Sequence, residues 1–207
     1  ILLEGRPRVI GEHFEECHAV IFAGLPGMFG GETLAGILKG RINPSGKMPV
    51  TYPYHTGLTI AYNHKHTVTT GLAPWLEAGN AWTMGEFGTG LSYTTFEYSD
   101  LQLSDSVLNL NEKLEARLTV RNTGQREGKE AVLWFLSDEV GTVTRPVRQL
   151  KHFEKQFLLP GEMKEYTFLI DPYQHLGFPD ETGNLNLEPG YYTLSAGPLN
   201  ARFRLTE

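Results

Sequence analysis

The sequence predicts a mixed fold: a partial α/β sandwich with a parallel sheet over residues 1–53, an ordered linker over 54–95, and an all-β sandwich over 96–207. Three observations carry this. Apolar runs alternate with helix-period segments as far as Pro53; the periodicity is lost between residues 54 and 86; from Phe96 onward apolar residues recur at period two. The change falls on the stretch Phe87-Gly88-Thr89-Gly90-Leu91-Ser92-Tyr93-Thr94-Thr95-Phe96.

In the first segment, Ile1–Leu3 has the apolar character of a strand end, Arg8–Cys17 the pattern of a short helix, and His18–Ala23 that of a buried strand. The Gly30-Gly31 pair precedes a helix over Glu32–Lys39, where Leu34, Ile37 and Leu38 fall at helical spacing and Gly40 supplies the stop. Parallel strands joined in this way need a right-handed crossover. A two-stranded parallel sheet leaves its edges and faces uncovered, so further strands are expected from upstream sequence or another polypeptide.

In the last segment, strands are predicted at Phe96–Leu103, Lys113–Arg121, Ala131–Ser137, Arg148–Phe157, Lys164–Ile170, Tyr191–Ala196 and Ala201–Leu205. Turn signals separate them, among them Asn122-Thr123-Gly124, Leu159-Pro160-Gly161, Glu188-Pro189-Gly190 and Gly197-Pro198. Seven short strands at this spacing fit an immunoglobulin or fibronectin type III-like sandwich. The lone cysteine, Cys17, excludes the disulfide-bonded antibody type and reads as a small buried hydrophobe in the first segment.

The 207 residues are 40% hydrophobic and 20% charged, which suits one or two globular domains. A net charge of -6 and the lack of any Lys/Arg run argue against nucleic acid as a partner, because phosphate neutralisation drives that binding. No apolar run approaches the roughly 20 residues of a membrane span. The compartment stays open.

Several clusters could carry chemistry. Gly24, Gly27, Gly30 and Gly31 before a helix could cradle a phosphate, although the spacing matches neither the dinucleotide fingerprint nor the P-loop. His64-Lys65-His66 could ligate a metal, but lacks a neighbouring Cys or carboxylate and reads as solvent-facing or interface residues; no metal and no cofactor is expected. Ser45 and Ser92 lack the glycine frame of a nucleophile elbow and read as turn or capping residues. Glu12, Glu15, Glu16, Glu32, Glu77 and Glu86 are plentiful carboxylates, yet the sequence pairs none of them. Trp75, Trp82, Tyr52, Tyr54 and Tyr62 could stack on sugar rings or pack the linker.

Taken in order, the motifs resemble those of glycoside hydrolase family 3, the β-glucosidase and β-xylosidase group. Gly30–Ala35 through Gly40–Pro53, including Asn43-Pro44-Ser45-Gly46, is similar to the family's glycine-pair, helix and Asn-Pro-Ser-Gly run. Tyr62-Asn63-His64-Lys65 resembles its linker and Phe87–Phe96 its entry to a fibronectin-like domain. Val120–Gly124, Thr144–Lys155 and Leu159–Glu162 are similar to that domain. After Lys65 the chain departs from the family pattern, with His66-Thr67-Val68-Thr69-Thr70-Gly71-Leu72, and Thr83-Met84-Gly85-Glu86 replaces the usual aromatic and proline.

The resemblance implies the C-terminal portion of a retaining β-glycosidase that removes terminal β-linked sugars, β-glucosides first. It also implies that the catalytic carboxylates lie elsewhere. The family's nucleophile sits in a Ser-Asp-Trp-like motif, and Ser99-Asp100, Ser104-Asp105 and Ser137-Asp138 all lack the Trp. The acid/base Glu is expected upstream of Ile1. No residue here is therefore assigned a catalytic role, and Trp75 and Trp82 are the candidate rim aromatics for substrate. The implied partners are the barrel domain, the missing α/β strands and a carbohydrate, with a homodimer possible. Resemblance alone favours a secreted or periplasmic protein. The alternative is a non-catalytic carbohydrate-binding or fibronectin-like interaction module.

Overall fold

The computed structural model describes residues 1–57, 61–63, 65 and 83–207, and divides them into two compact units that meet in sequence between Tyr93 and Thr94.

In the first unit, β1 (Leu2–Glu4) and β2 (Ile21–Gly24) pair in parallel, Leu2 opposite Ile21 and Leu3 opposite Phe22. Helix α1 (Gly30–Leu38) follows β2. Its end obeys the glycine rule: Gly40 has φ +68, and its amide and that of Arg41 donate to the carbonyls of Ile37 and Gly36, both at 2.8 Å. Gly36 is needed for packing, since a Cβ there would lie 2.6 Å from Ile42 Cδ1. β3 (Tyr52–Pro53) and β4 (Thr83–Gly85) form a short antiparallel pair.

The expected helix over Arg8–Cys17 is not formed. Only a single 3-10 turn appears, Gly11–Phe14, because Gly11 sits at φ +44, outside the right-handed helical region. Cys17 is half-buried rather than buried, and its thiol donates to the His13 carbonyl at 2.8 Å.

The second unit is a two-layer β-sandwich, as the period-two pattern predicts. One sheet has the order β10-β7-β5, from Met163–Ile170, Leu114–Asn122 and Phe96–Leu103. The other has the order β6-β14-β13-β8-β9, from Val107–Asn109, Leu199–Thr206, Gly190–Ala196, Gly128–Asp138 and Gln149–Leu158. All seven predicted strands are present. The sequence pattern misses β6, whose three residues are too few to show alternation; it runs parallel to β14 and buries Leu108. It also misses the two-residue pair β11 (Phe178–Pro179) and β12 (Leu185–Asn186).

The core lies between the sheets. Leu114, Ala116, Leu118 and Val120 of β7 and Tyr166, Phe168 and Ile170 of the neighbouring β10 point inward at alternate positions, against Val132, Trp134 and Leu136 of β8 in the other sheet. One carboxylate enters this layer: Glu130, 6% exposed, accepts a hydrogen bond from the Tyr98 hydroxyl at 2.7 Å. Burial, reinforced by the Glu130 charge, pushes the Tyr98 phenol well above its ordinary range, so it stays a donor.

Asn122, fully buried at the end of β7, uses every polar atom of its side chain. Its Oδ1 accepts from Thr94 Oγ1 at 2.7 Å and from the Gly124 amide at 3.1 Å. Its Nδ2 donates to the carbonyls of Arg126 at 2.7 Å and Leu158 at 3.2 Å. A Cβ at position 124 would collide with Thr94 Oγ1, which explains the glycine.

Candidate functional site

The Asn-Pro-Ser-Gly motif and the Phe87–Tyr93 stretch, far apart in sequence, are bound to each other within the first unit. Asn43 Oδ1 accepts from Ser92 Oγ at 2.9 Å and from the Tyr93 amide at 2.8 Å, while the Tyr93 hydroxyl donates to the Ile37 carbonyl at 2.9 Å. Met48 N donates to the Thr89 carbonyl at 2.7 Å, Gly88 N to the Met48 carbonyl at 2.8 Å, and Phe87 N to Thr51 Oγ1 at 3.1 Å. Gly90 lies over the Gly46 carbonyl so closely that a Cβ would collide with it. These residues build a clasp. Ser92, weighed above as a nucleophile, serves as a structural hydrogen-bond donor.

The glycine-rich loop before α1 is likewise a packing device. Gly24 and Gly27 take positive φ values of 59 and 67, and a Cβ on Gly30 would lie 2.5 Å from Pro26 Cβ. Tyr52 is buried: its hydroxyl donates to the Arg8 carbonyl and accepts from the Arg8 amide, both at 2.6 Å, and its ring meets Phe22 edge-on at 5.9 Å. That removes Tyr52 from the sugar-stacking candidates. Tyr54 meets His55 edge-on at 4.7 Å, and Tyr62 meets Phe87 at 5.1 Å.

Glu15, Glu16 and Glu32 are exposed, with Glu16 Oε2 3.2 Å from His13 Nδ1. Glu12 lies in the 3-10 turn and Glu86 precedes the clasp. Trp75, Trp82, Glu77, His64 and His66 lie outside the described residues. Among the described residues, no group of three His, Cys, Asp or Glu side chains is placed to hold a metal ion.

The sandwich contains a cluster that sequence reasoning missed. Asp138 at the end of β8, Arg145 in the following loop, Gln149 and Lys151 of β9, His175 and Tyr192 of β13 converge on one cleft. The π-helical turn Pro172–Leu176 supplies His175, and Asp171 Oδ1 opens that turn by accepting from the amides of Tyr173 and Gln174. Arg145 Nε lies 3.3 Å from Asp138 Oδ2, and its guanidinium carbon sits 3.3 Å from the centre of the Phe178 ring. Burial raises the Asp138 carboxyl above its ordinary range, with Arg145 pulling the other way, and pushes the Tyr192 phenol up to about 12. The only trace in sequence is the Thr144–Lys155 run, which carries two of the cluster's cations.

His175 is held neutral. Burial lowers its pKa first, the Lys151 and His152 charges add to this, and the Asp171 charge opposes it; Nδ1 already accepts the Asp171 amide at 2.8 Å. A pKa below the unfolded value of about 6.5 means that the unfolded chain binds the proton more readily, so stability falls as pH drops below about 6.5. The expected excess slope in the wild type over His175→Gln, between about pH 6.5 and 5, stays below about 1.4 kcal/mol per pH unit, the limit for a single proton. Parallel thermal melts of the two proteins across that range measure it; coincident curves would contradict the assignment.

Comparison with known proteins accounts for both units. Residues 1–93 match the glycosyl hydrolase family 3 C-terminal domain, and residues 130–199 match the fibronectin type III-like domain. A periplasmic β-glucosidase of Salmonella typhimurium is 35% identical over 215 aligned residues, covering 99% of this chain and 28% of its own length. A lysosomal β-glucosidase of Dictyostelium discoideum is also 35% identical, with 95% of this chain and 24% of its own length covered. The solved structure of a β-glucosidase from Erythrobacter marinus superposes with a TM-score of 0.89 at 34% identity, over 99% of this chain and 28% of that one. The chain thus spans about a quarter of the length of the relatives it matches.

Proposed function

Because this chain belongs to glycoside hydrolase family 3, matching its C-terminal and fibronectin-like domains, we propose that it is the non-catalytic C-terminal portion of a retaining β-glycosidase. The substrates on this reading are terminal, non-reducing β-linked sugars, with β-glucosides first. The observation that carries it is the full-length alignment of the chain to about a quarter of each β-glucosidase relative. Retaining hydrolysis needs a carboxylate nucleophile and a second carboxylic acid about 5 Å away. On this reading both belong to sequence beyond this chain, in a barrel domain and the rest of the α/β domain.

The exposed apolar side chains of the first unit support a role in completing that α/β domain. Leu25, Met28, Phe29 and Leu38 are 91%, 89%, 69% and 76% exposed around a two-stranded parallel sheet. Large apolar surface of this kind marks an interface. A free-standing binding module gives no reason for that surface. On this reading the segment over residues 54–95 leads into the sandwich, its Thr83–Tyr93 part being held within the first unit, and Trp75 and Trp82 are its candidate aromatics for the sugar.

The test is kinetic. The purified 207-residue chain is expected to hydrolyse an aryl β-glucoside no faster than buffer, while the intact protein carrying the barrel domain turns it over. Robust turnover by the chain alone, or none by the intact protein on any aryl β-glycoside, would overturn the proposal.

A further inference from the structure

The cleft in the sandwich is built around cations that its own carboxylate does not satisfy. Arg145 is 14% exposed, and its Nε and Nη2 are buried without a hydrogen-bond partner; Asp138 Oδ2, at 8% side-chain exposure, is in the same condition. The two are in ion-pair contact at 3.3 Å but off hydrogen-bond geometry. Lys151 also lines the cleft, half-buried, and makes no hydrogen bond or ion pair among the described residues. The other nearby carboxylate, Glu188, is taken up by the Thr142 amide at 3.1 Å and the Thr142 hydroxyl. Two fixed cations therefore face one carboxylate, and His175 beside them is neutral. A buried charge without a full set of partners is costly, so native structures rarely leave one open.

We propose that this cleft binds a carboxylate group, which bridges the Lys151 ammonium and Nη2 of Arg145. Arginine offers a planar fork that matches two carboxylate oxygens, and lysine a point charge that tolerates either. The cavity, about 20 Å³, has room for one small group. Desolvation and the neighbouring Arg145 lower the Lys151 pKa, and an anion between the two cations would relieve that repulsion. The carboxylate is either a free small acid or an Asp or Glu side chain from sequence outside the described residues. Both present the same two oxygens. The inference does not depend on the glycosidase reading, since it rests on the sandwich alone.

A crystal structure of the intact protein, with and without sodium formate, tests it together with formate titrations of the wild type and of Lys151→Met by chemical-shift perturbation. Lys151→Met keeps the aliphatic stem and removes the charge. Formate in the cleft, within about 3 Å of both Lys151 Nζ and Arg145 Nη2, identifies a free acid as the ligand. The variant is then expected to bind formate at least about tenfold more weakly, about 1.4 kcal/mol. A protein carboxylate in the same place identifies an internal ligand, and Lys151→Met should then lower the melting temperature of the intact protein. Water alone in the cleft, with wild type and variant indistinguishable in both measurements, would overturn the proposal. Formate bound equally well by Lys151→Met would overturn the bridge. If the variant does not fold, Lys151→Gln carries the same comparison.

Discussion

Trp134→Ala is expected to destabilise the sandwich by about 4 kcal/mol, the largest single effect expected among the described residues. Trp134 is fully buried at the centre of β8, the strand flanked by β13 and β9, and its ring meets Phe168 of the opposite sheet at 5.9 Å. Truncation opens a cavity beneath a strand held by ladders on both sides, so little collapse can fill it. A loss of this size is a large part of a domain's usual 5–15 kcal/mol. Trp134→Phe should cost far less, about 1–2 kcal/mol, because the indole N–H is buried without an acceptor and its removal discards an unsatisfied donor. Urea denaturation, monitored by far-UV circular dichroism, measures both. A loss below about 1 kcal/mol for the alanine variant would contradict the packing argument.

Asn122→Leu is expected to cost about 3 kcal/mol, although leucine is similar in size and more apolar. The side-chain amide bonds Thr94, Gly124, Arg126 and Leu158, tying together the start of the second unit, the turn after β7 and the end of β9. An apolar replacement strands polar groups in four places, two of them buried, and the penalty for unsatisfied buried partners exceeds the mean value of the bonds lost. Asn122→Asp distinguishes this account from a loss of shape. It keeps the acceptor but turns a carboxylate toward the Arg126 and Leu158 carbonyls, so it should destabilise more at neutral pH than at about pH 3. Equal stability of Asn122→Asp at the two pH values, relative to wild type, would remove the network from the explanation.

The two residues show how far sequence reaches. The strands that hold them were legible because alternation over Leu114–Asn122 and Gly128–Asp138 follows directly from one buried face. Asn122 itself stood out only as a turn signal before Thr123-Gly124, since three of its four partners lie outside that turn. Arg8–Cys17 failed for the opposite reason: its helical spacing was outweighed by one glycine at positive φ. The cleft was invisible because Asp138, Arg145, Lys151 and His175 come from two strands, a loop and a π-helical turn. No local pattern connects those positions. Ser92 and Asn43 could each be read as turn residues, but their bond to each other depends on how the chain returns from Thr83–Gly85 to Phe87–Tyr93.

The clasp has a consequence for how such a protein can be assembled from parts. Tyr93 is fastened to Asn43 and Ile37, while Thr94, its neighbour in sequence, is fastened to Asn122. The peptide bond between them divides two sets of anchors with no spare residue on either side. Recombination at that bond would deliver the sandwich to a new host with its Thr94 latch, and leave behind a first unit whose clasp is whole.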